Sequence, residues 1–188
     1  MRIVAGAWRG RALIAPPGQT TRPTADRVRQ ALFDRLLHAP WGGKALIEGA
    51  SVLDAFAGTG ALGLEALSRG AGHAVFMERE KSALAALRAN IHNCKAEARS
   101  TVLPVDATFP PPGQPCALAF LDPPYGQELG PRAVAALRAA GWLAPQSVVV
   151  LETGRAETPP QLGLMLASAE HGAALITIWR LQRQASNA

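Results

Sequence analysis

The sequence predicts an α/β protein whose core is a doubly wound, mostly parallel sheet. Short apolar segments alternate with segments of helical periodicity between residues 51 and 152, which is typical of strands joined by covering helices. A glycine-rich turn at 58–63 follows the first apolar segment, where such folds pass from strand into helix. Two extended segments, 164–169 and 174–182, flank a turn and predict an antiparallel pair that closes the sheet.

Before the alternation, the chain predicts a small hairpin and one helix. Arg2–Ala5 and Arg11–Ile14 are short extended segments next to two glycines, an arrangement that suits a hairpin. Thr24 is a suitable helix N-cap, and apolar residues at helical spacing follow it as far as Pro40. Two glycines, at 42 and 43, then mark a linker.

The alternating region contains five predicted strands and three predicted helices. We expect strands at 51–55, 73–78, 101–105, 117–121 and 147–152, and helices at 61–69, 82–93 and 132–140. The segment 107–116, between the third and fourth strands, contains four prolines and is not expected to form a helix. In a 3-2-1-4 strand order this link spans roughly 22 Å, and ten extended residues reach about 33 Å, so the connection is feasible.

Length and composition fit one globular domain. The chain has 188 residues, of which 48% are hydrophobic and 18% are charged, so it is too apolar to be disordered. No apolar run is long enough for a membrane span or a secretory leader. Cys94 and Cys116 have no CxxC spacing, which excludes a disulfide framework and a zinc finger and favours the cytoplasm. The four histidines match no metal-binding spacing, so no metal is expected.

The positive charge is concentrated at the start of the chain. Residues 1–44 contain eight basic and two acidic side chains, residues 45–188 contain eleven and twelve, and the whole chain has a net charge of +5. We therefore divide the chain into a basic extension, 1–44, and a main domain, 45–188. Seven of the eight cations are arginines, whose planar fork matches phosphate and favours a nucleic-acid partner; a solvated basic face fits the same composition.

The glycine-rich turn predicts the binding site of an adenosine-containing ligand. Gly58, Gly60 and Gly63 have the spacing of the dinucleotide-binding turn and follow a strand that ends near Asp54. Glu78 falls twenty residues after Gly58, where an acid that binds ribose is expected. The pattern does not distinguish a nicotinamide dinucleotide from S-adenosylmethionine.

A second motif, Asp122-Pro123-Pro124-Tyr125, directly follows the fourth predicted strand. The two prolines stiffen the turn and fix the directions of its carbonyl groups. A carboxylate and a proline carbonyl can then both accept hydrogen bonds from one NH2 group, while the tyrosine stacks on a flat ring. The motif therefore fits an exocyclic amine of a nucleobase.

These motifs together resemble motifs I and IV of amino-directed, S-adenosylmethionine-dependent methyltransferases. The segments Arg2–Arg11 and Arg22–Arg29, with the run Phe56–Ala71, are also similar to the bacterial 16S ribosomal RNA guanine-N2 methyltransferases of the RsmD type. The resemblance extends from the first residues to Tyr125. It departs from the family at Gln30, where the family usually has glutamate.

The resemblance implies a Rossmann-like class I methyltransferase fold. Its parts are a mostly parallel seven-stranded sheet with a closing antiparallel pair, and a small N-terminal basic hairpin and helix. It also implies methyl transfer from S-adenosylmethionine to the N2 amine of a specific guanine in 16S ribosomal RNA, either naked or in the assembling small subunit. A monomer that acts in the cytoplasm, without metal or membrane, is expected.

The resemblance further implies a role for each site residue. The catalytic residues are Asp122, Pro123, Pro124 and Tyr125; the cofactor-binding residues are Asp54, Phe56, Gly58, Gly60, Glu78 and Asp106; the RNA-binding residues are Arg9, Arg11, Arg22, Arg27 and Arg29. Asp54 and the glycine turn hold the methionine end of the cofactor, and Asp106 lies near the adenine. Glu78 binds the ribose in preference to Glu80, because Glu78 ends its strand.

Three other functions remain open at the level of sequence. An adenine-N6 methyltransferase acting on DNA or RNA can bind its target amine with the same Asp-Pro-Pro-Tyr geometry. An NAD-dependent oxidoreductase uses the glycine pattern but leaves Asp122–Tyr125 unexplained. The third is an RNA-binding module without turnover, against which the two intact motifs argue.

Overall fold

The computed structural model of the protein describes residues 1–16 and 23–182, with side chains of the first helix described from residue 25. Seven strands form one sheet in the order β3-β2-β1-β4-β5-β7-β6. The strands are β1 Ser51–Asp54, β2 His73–Met77, β3 Ser100–Leu103, β4 Leu118–Leu121, β5 Val148–Gly154, β6 Gly163–His171 and β7 Ala174–Leu181. The first five strands are parallel, and β7 runs antiparallel between β5 and β6. The predicted seven-stranded α/β architecture is confirmed.

Helices cover both faces of this sheet. The helices are α1 Pro23–His38, α2 Ala61–Ser68, α3 Lys81–Cys94 and α4 Leu129–Ala139, and short 3-10 turns occur at Gly6–Trp8, Lys44–Leu46 and Glu97–Arg99. Alternate residues of a strand point to opposite faces, so Val52 packs with the buried side chains of α1, α2 and α3, whereas Leu53 packs with those of α4. Within residues 1–16 and 23–182, no helix is long and apolar enough to cross a bilayer.

The predicted N-terminal hairpin is present but short. The two segments pair antiparallel at the bridge between Arg2 and Ala12, where Ile3 donates to the carbonyl of Arg11 at 2.9 Å and Leu13 donates to that of Met1 at 3.0 Å, and a 3-10 turn lies between the segments. The amides of Val4 and Ala5 donate to the Glu65 carboxylate on α2, at 2.8 and 3.0 Å, instead of to a facing strand. The segment therefore uses its backbone to dock onto the main domain.

The described part of residues 1–44 shares one hydrophobic core with the main domain. Ile3 is fully buried, and it packs in the same cluster as Phe33 of α1 and Leu64 of α2. Gly6 lies so close to α2 that a Cβ atom there would be 1.9 Å from the carbonyl oxygen of Ser68. Hence α1 and the N-terminal segment pack directly against the main domain.

The proline-rich link between β3 and β4 forms no helix, as predicted. It is held instead by Trp142, whose Nε1 donates to the carbonyl of Pro111 at 2.7 Å. Gly113 packs against that indole, since a Cβ atom there would lie 2.0 Å from the ring. The link thus packs with Trp142, which belongs to the same buried cluster as α4, and returns the chain to the middle of the sheet.

Candidate active site

Acidic residues from three neighbouring strands meet at the carboxyl edge of the sheet. Asp54 ends β1, Glu78 follows β2, and Asp122 follows β4. The strand order places β1 between β2 and β4. The three acids therefore lie beside the switch point between β1 and β4, where the order of the strands reverses. This is where open α/β sheets bind their ligands.

Two cavities open at this edge and share a wall. The first, of about 530 Å³, lies beside Glu78 and Asp106, and the second, of about 510 Å³, lies beside Asp54, α1 and Glu152. The residues that line both cavities are Phe56, Gly58, Asp122 and Tyr125. Pro123 and Pro124 line the first cavity only. Two ligands in these cavities would therefore meet at the shared wall.

The three glycines of the turn have different roles. Gly58 has φ +52° and nothing within 4 Å of its Cβ position, so it leaves open space beside both cavities. Gly60, with φ +77°, and Gly63 leave room for neighbours instead, because their Cβ atoms would lie 2.4 Å from Leu87 and 2.3 Å from Phe76. Gly60 lines neither of the two cavities and takes part in the turn and in packing, so its contact with the cofactor stays a prediction.

Glu78 holds the glycine turn in place. Its carboxylate accepts hydrogen bonds from the backbone amides of Gly58, Arg79 and Glu80, each at 2.8 Å. The Glu80 carboxylate instead caps α3, by accepting from the amide of Ala83 at 2.8 Å. Both line the first cavity, but only Glu78 bonds directly to the turn that separates the two cavities.

Asp106 lies across the first cavity and is kept ionised. Burial raises the pKa of this carboxyl, but hydrogen bonds from Thr108 and the neighbouring Arg79 guanidinium outweigh it and lower the pKa below its usual range. Thr108 donates through its amide at 2.8 Å and its hydroxyl at 2.7 Å, and Arg79 donates at 2.6 Å. Asp106 therefore presents an oriented anion to this cavity.

Asp54 lies deeper, at the start of α2. Its carboxylate accepts from the Gly63 amide at 2.9 Å, and the side chain is 2% exposed. Burial raises the pKa of Asp54 to about 7; the Gly63 hydrogen bond opposes this, and the charges of Asp122 and Glu78 add to it. The residue lines the second cavity and not the first, and its contact with the methionine end of a cofactor stays a prediction.

Asp122 and Tyr125 form the shared wall together with a residue that the sequence analysis missed, Glu152. The Tyr125 hydroxyl donates to Oε1 of Glu152, which lies near the carboxyl end of β5 and lines the second cavity. Asp122 is exposed where it lines both cavities. Desolvation of its carboxyl by the neighbouring protein, followed by the Glu152 charge, raises its pKa. Desolvation and the bond to Glu152 also raise the pKa of Tyr125, so the phenol stays protonated.

The predicted RNA-binding arginines fall into separate groups. Arg9 and Arg27 are exposed and line one shallow depression together with Arg2. Arg11 is partly buried and donates to the carbonyl of Asn93 on α3. Arg22 lies outside the described residues.

Arg29 does not belong to that basic surface. Its side chain is 5% exposed, its Nη2 pairs with Asp26 at 2.9 Å, and its Nε lies 3.6 Å from the Glu65 carboxylate. The guanidinium is held by these acids on the inner side of α1, and Arg29 also lines the second cavity. Its predicted contact with RNA stays a prediction.

Among the side chains that the structure describes, no group of three or more His, Cys, Asp or Glu could hold a metal ion.

Comparison with known proteins identifies the relatives of this chain. The family model described as conserved hypothetical protein 95 matches residues 1–180. The ribosomal RNA small subunit methyltransferase D of Escherichia coli K12 is 39% identical over 154 residues, covering 81% of this chain and 74% of that protein. Its namesake from Haemophilus influenzae is 36% identical over 158 residues, covering 81% and 78%.

Solved structures agree with the sequence relatives. The Escherichia coli protein yhhF has a TM-score of 0.82 at 34% identity, with 98% of this chain and 99% of that chain covered. The 16S rRNA N2 G1207 methyltransferase RsmC of Thermus thermophilus, in complex with AdoMet and guanosine, has a TM-score of 0.65 at 18% identity, covering 88% and 45%. The second likeness concerns the fold alone.

The sheet order, the glycine turn and the two cavities that meet at Asp122 define a Rossmann-like methyltransferase. More particularly, the chain belongs to the conserved hypothetical protein 95 family, which includes the ribosomal RNA small subunit methyltransferases D. Family membership confirms the predicted family, the fold, the methyltransferase class and S-adenosylmethionine as the cofactor of that class.

Proposed function

We propose that this protein transfers a methyl group from S-adenosylmethionine to the N2 amine of a guanine in the 16S ribosomal RNA of the small subunit. The main support is the wall shared by the two cavities, where Asp122 and Tyr125 face both a cofactor and an acceptor base. The names of the relatives support ribosomal RNA as the substrate. We further propose that the protein acts as a monomer in the cytoplasm.

The first cavity fits the cofactor. Gly58 leaves a space that a side chain would fill, Glu78 presents a carboxylate beside it, and Asp106 offers a second anion across the cavity. A cofactor with hydroxyl and amine donors is suited to these acceptors. S-adenosylmethionine supplies an electrophilic methyl group on a positively charged sulfur, and the acids around the wall favour that charge.

The second cavity fits the acceptor base. The amine of a base in this cavity reaches the wall shared with the first cavity. There the carboxylate of Asp122, which lines both cavities, accepts a hydrogen bond from one N–H, and the carbonyl of Pro123, which lines the first cavity, accepts from the other. The two bonds direct the nitrogen lone pair toward the methyl donor. Tyr125, 46% exposed, stacks on the base and limits its tilt. The guanine amine is a weak nucleophile because its lone pair is delocalised, so alignment provides much of the acceleration, up to about 7–11 kcal/mol in favourable cases. A base reaches this depth only when it is flipped or splayed out of its stack.

Replacing Glu78 by alanine should weaken cofactor binding by about 10–100-fold, because it removes a charged acceptor and leaves three turn amides without a partner. Titration calorimetry with S-adenosylmethionine measures the effect. Glu80→Gln is the matched control, since its carboxylate caps α3, and it should leave affinity within about threefold. A larger effect at Glu80 than at Glu78 would contradict the assignment of the ribose-binding acid.

Exchanging Arg9 and Arg27 together for glutamine should weaken RNA binding, because two phosphate contacts are lost. The negative slope of log Kobs against log salt should become shallower by about 1.5. Filter binding over a salt series measures the slope. Arg88→Gln on α3 serves as the control, since Arg88 is exposed and does not line the basic depression. An unchanged slope in the double variant would show that RNA binds elsewhere.

The decisive experiment supplies S-adenosylmethionine with a labelled methyl group to small-subunit ribosomal RNA, both naked and as protein-bound particles, and identifies the modified nucleoside. We expect N2-methylguanosine. N6-methyladenosine would identify the alternative, adenine-directed enzyme. Cofactor binding without transfer to either form of RNA would leave only the fold assignment.

A further inference from the structure

Beside Asp122, the second cavity contains another acid, Glu152, that the transfer reaction alone does not require. Asp122 and Glu152 both line it, and the Glu152 charge is close enough to raise the pKa of Asp122. Neither carboxylate forms an ion pair with a basic side chain in the described part of the chain. Two neighbouring carboxylates repel each other unless hydrogen-bond donors lie between them. The cavity is therefore suited to a ligand edge with several adjacent N–H groups.

Glu152 is held in a fixed orientation. Its Oε1 accepts from the Tyr125 hydroxyl, and the described hydrogen bonds leave Oε2 without a donor. The side chain is only partly buried, so Oε2 is accessible to a ligand in the cavity. The ring of Tyr125 would stack on the base, and its hydroxyl holds the Glu152 carboxylate beside the edge of that base.

The edges of the two candidate bases differ next to the reactive amine. In guanine the N2 amine is adjacent to N1–H, so two donors lie side by side, whereas in adenine the N6 amine is adjacent to the N1 lone pair. When Asp122 accepts from the amine, a carboxylate next along the wall accepts from guanine N1–H but repels the lone pair of adenine N1. Sites built for hydrogen bonds reject ligands that leave buried polar groups unpaired.

We propose that Glu152 determines base specificity by accepting a hydrogen bond from N1–H of the target guanine. The inference rests on the proposed function, and it names the residue that selects guanine over bases with an unprotonated N1. Asp122 recognises an amine of either base, and the choice between the bases lies with Glu152.

The test compares two acceptors that keep the reactive 2-amino group. One RNA has guanine at the methylated position, and the other has 2,6-diaminopurine, whose N1 is a lone pair. The RNAs are made by ligation and offered in the form, naked or particle-bound, that the wild type prefers. The variant is Glu152→Gln: its amide oxygen still accepts from Tyr125, which turns the NH2 group toward the base. Glu170→Gln, an exposed acid on β6, is the matched control.

We expect the wild type to prefer guanine over diaminopurine by at least about 100-fold in kcat/KM, and the Glu152→Gln variant to lose most of that preference. Cofactor affinity should stay unchanged, since Glu152 does not line the first cavity. A parallel loss on both RNAs would mean that Glu152 only supports Tyr125, and it would overturn the inference.

Wild-type behaviour tests the inference without any variant. If the wild type methylates diaminopurine as efficiently as guanine, Glu152 does not recognise N1–H. The inference then fails, while the proposed function stands. If the wild type methylates no guanine in ribosomal RNA, the proposed function itself fails, and the inference with it.

Discussion

Replacing Asp122 by alanine should reduce methyl transfer by at least about 10³-fold, because the amine loses the acceptor that orients its lone pair. Affinity for S-adenosylmethionine should change by less than about threefold, since Glu78, Asp106 and the glycine turn are untouched. Single-turnover transfer at saturating cofactor separates the chemical step from binding. This split between transfer and affinity is the opposite of that expected for Glu78.

Asp122→Asn provides the graded comparison. Its amide oxygen still accepts one hydrogen bond, but the charge is lost, so we expect a smaller loss of transfer, about 10–100-fold. Glu97→Gln, an exposed acid in the 3-10 turn that follows α3, should leave transfer unchanged. Lost cofactor affinity with retained turnover in Asp122→Ala would refute the assignment of Asp122 to the amine.

Replacing Glu65 by alanine should lower the free energy of unfolding by about 3–5 kcal/mol, because it leaves buried charges without their partner. Glu65 is fully buried on α2, where it accepts from the Nε of Arg69 at 2.7 Å and faces the Nε of Arg29 at 3.6 Å. Its carboxylate also accepts hydrogen bonds from the backbone amides of Val4 and Ala5. Urea denaturation followed by circular dichroism measures the loss.

The surface pair of Lys44 and Glu48 gives the control for that experiment. Both side chains are exposed and their charged atoms lie 3.9 Å apart, so Glu48→Ala should cost less than about 1 kcal/mol. A loss below about 1 kcal/mol in Glu65→Ala as well would show that the docked N-terminal segment contributes little to folding.

The sheet could be predicted from sequence because strand and helix periodicities are local signals. The site was only partly predictable, since its details depend on partners far along the chain. The sequence identifies Gly58 and Gly60 alike, yet only the packed structure distinguishes a glycine beside a cavity from one against Leu87. Likewise, the backbone partner of the N-terminal segment lies some 60 residues away, on Glu65.

Charge patterns had the same limit. A cluster of arginines predicts a basic surface, but the inward face of α1 decides that Arg29 pairs with Asp26 and Glu65 while Arg27 stays exposed. Glu152 went unnoticed because a single acid at the end of an apolar strand has no motif around it. Its position next to Asp122 follows from the pairing of β4 with β5. In the sequence, only its place at the end of a predicted strand indicates a site residue.

Some residues line only one of the two cavities and others line both, which has a consequence for evolution and for design. Substitutions at Phe56, Gly58 or Tyr125, which line both cavities, act on both ligands at once, so these positions have little freedom to drift. Glu152 belongs to the second cavity alone, and Glu78 to the first alone. A lineage, or an engineer, can therefore retarget the accepted base at Glu152 while keeping the methyl donor, or adapt the enzyme to a donor analogue near Glu78 while keeping the base.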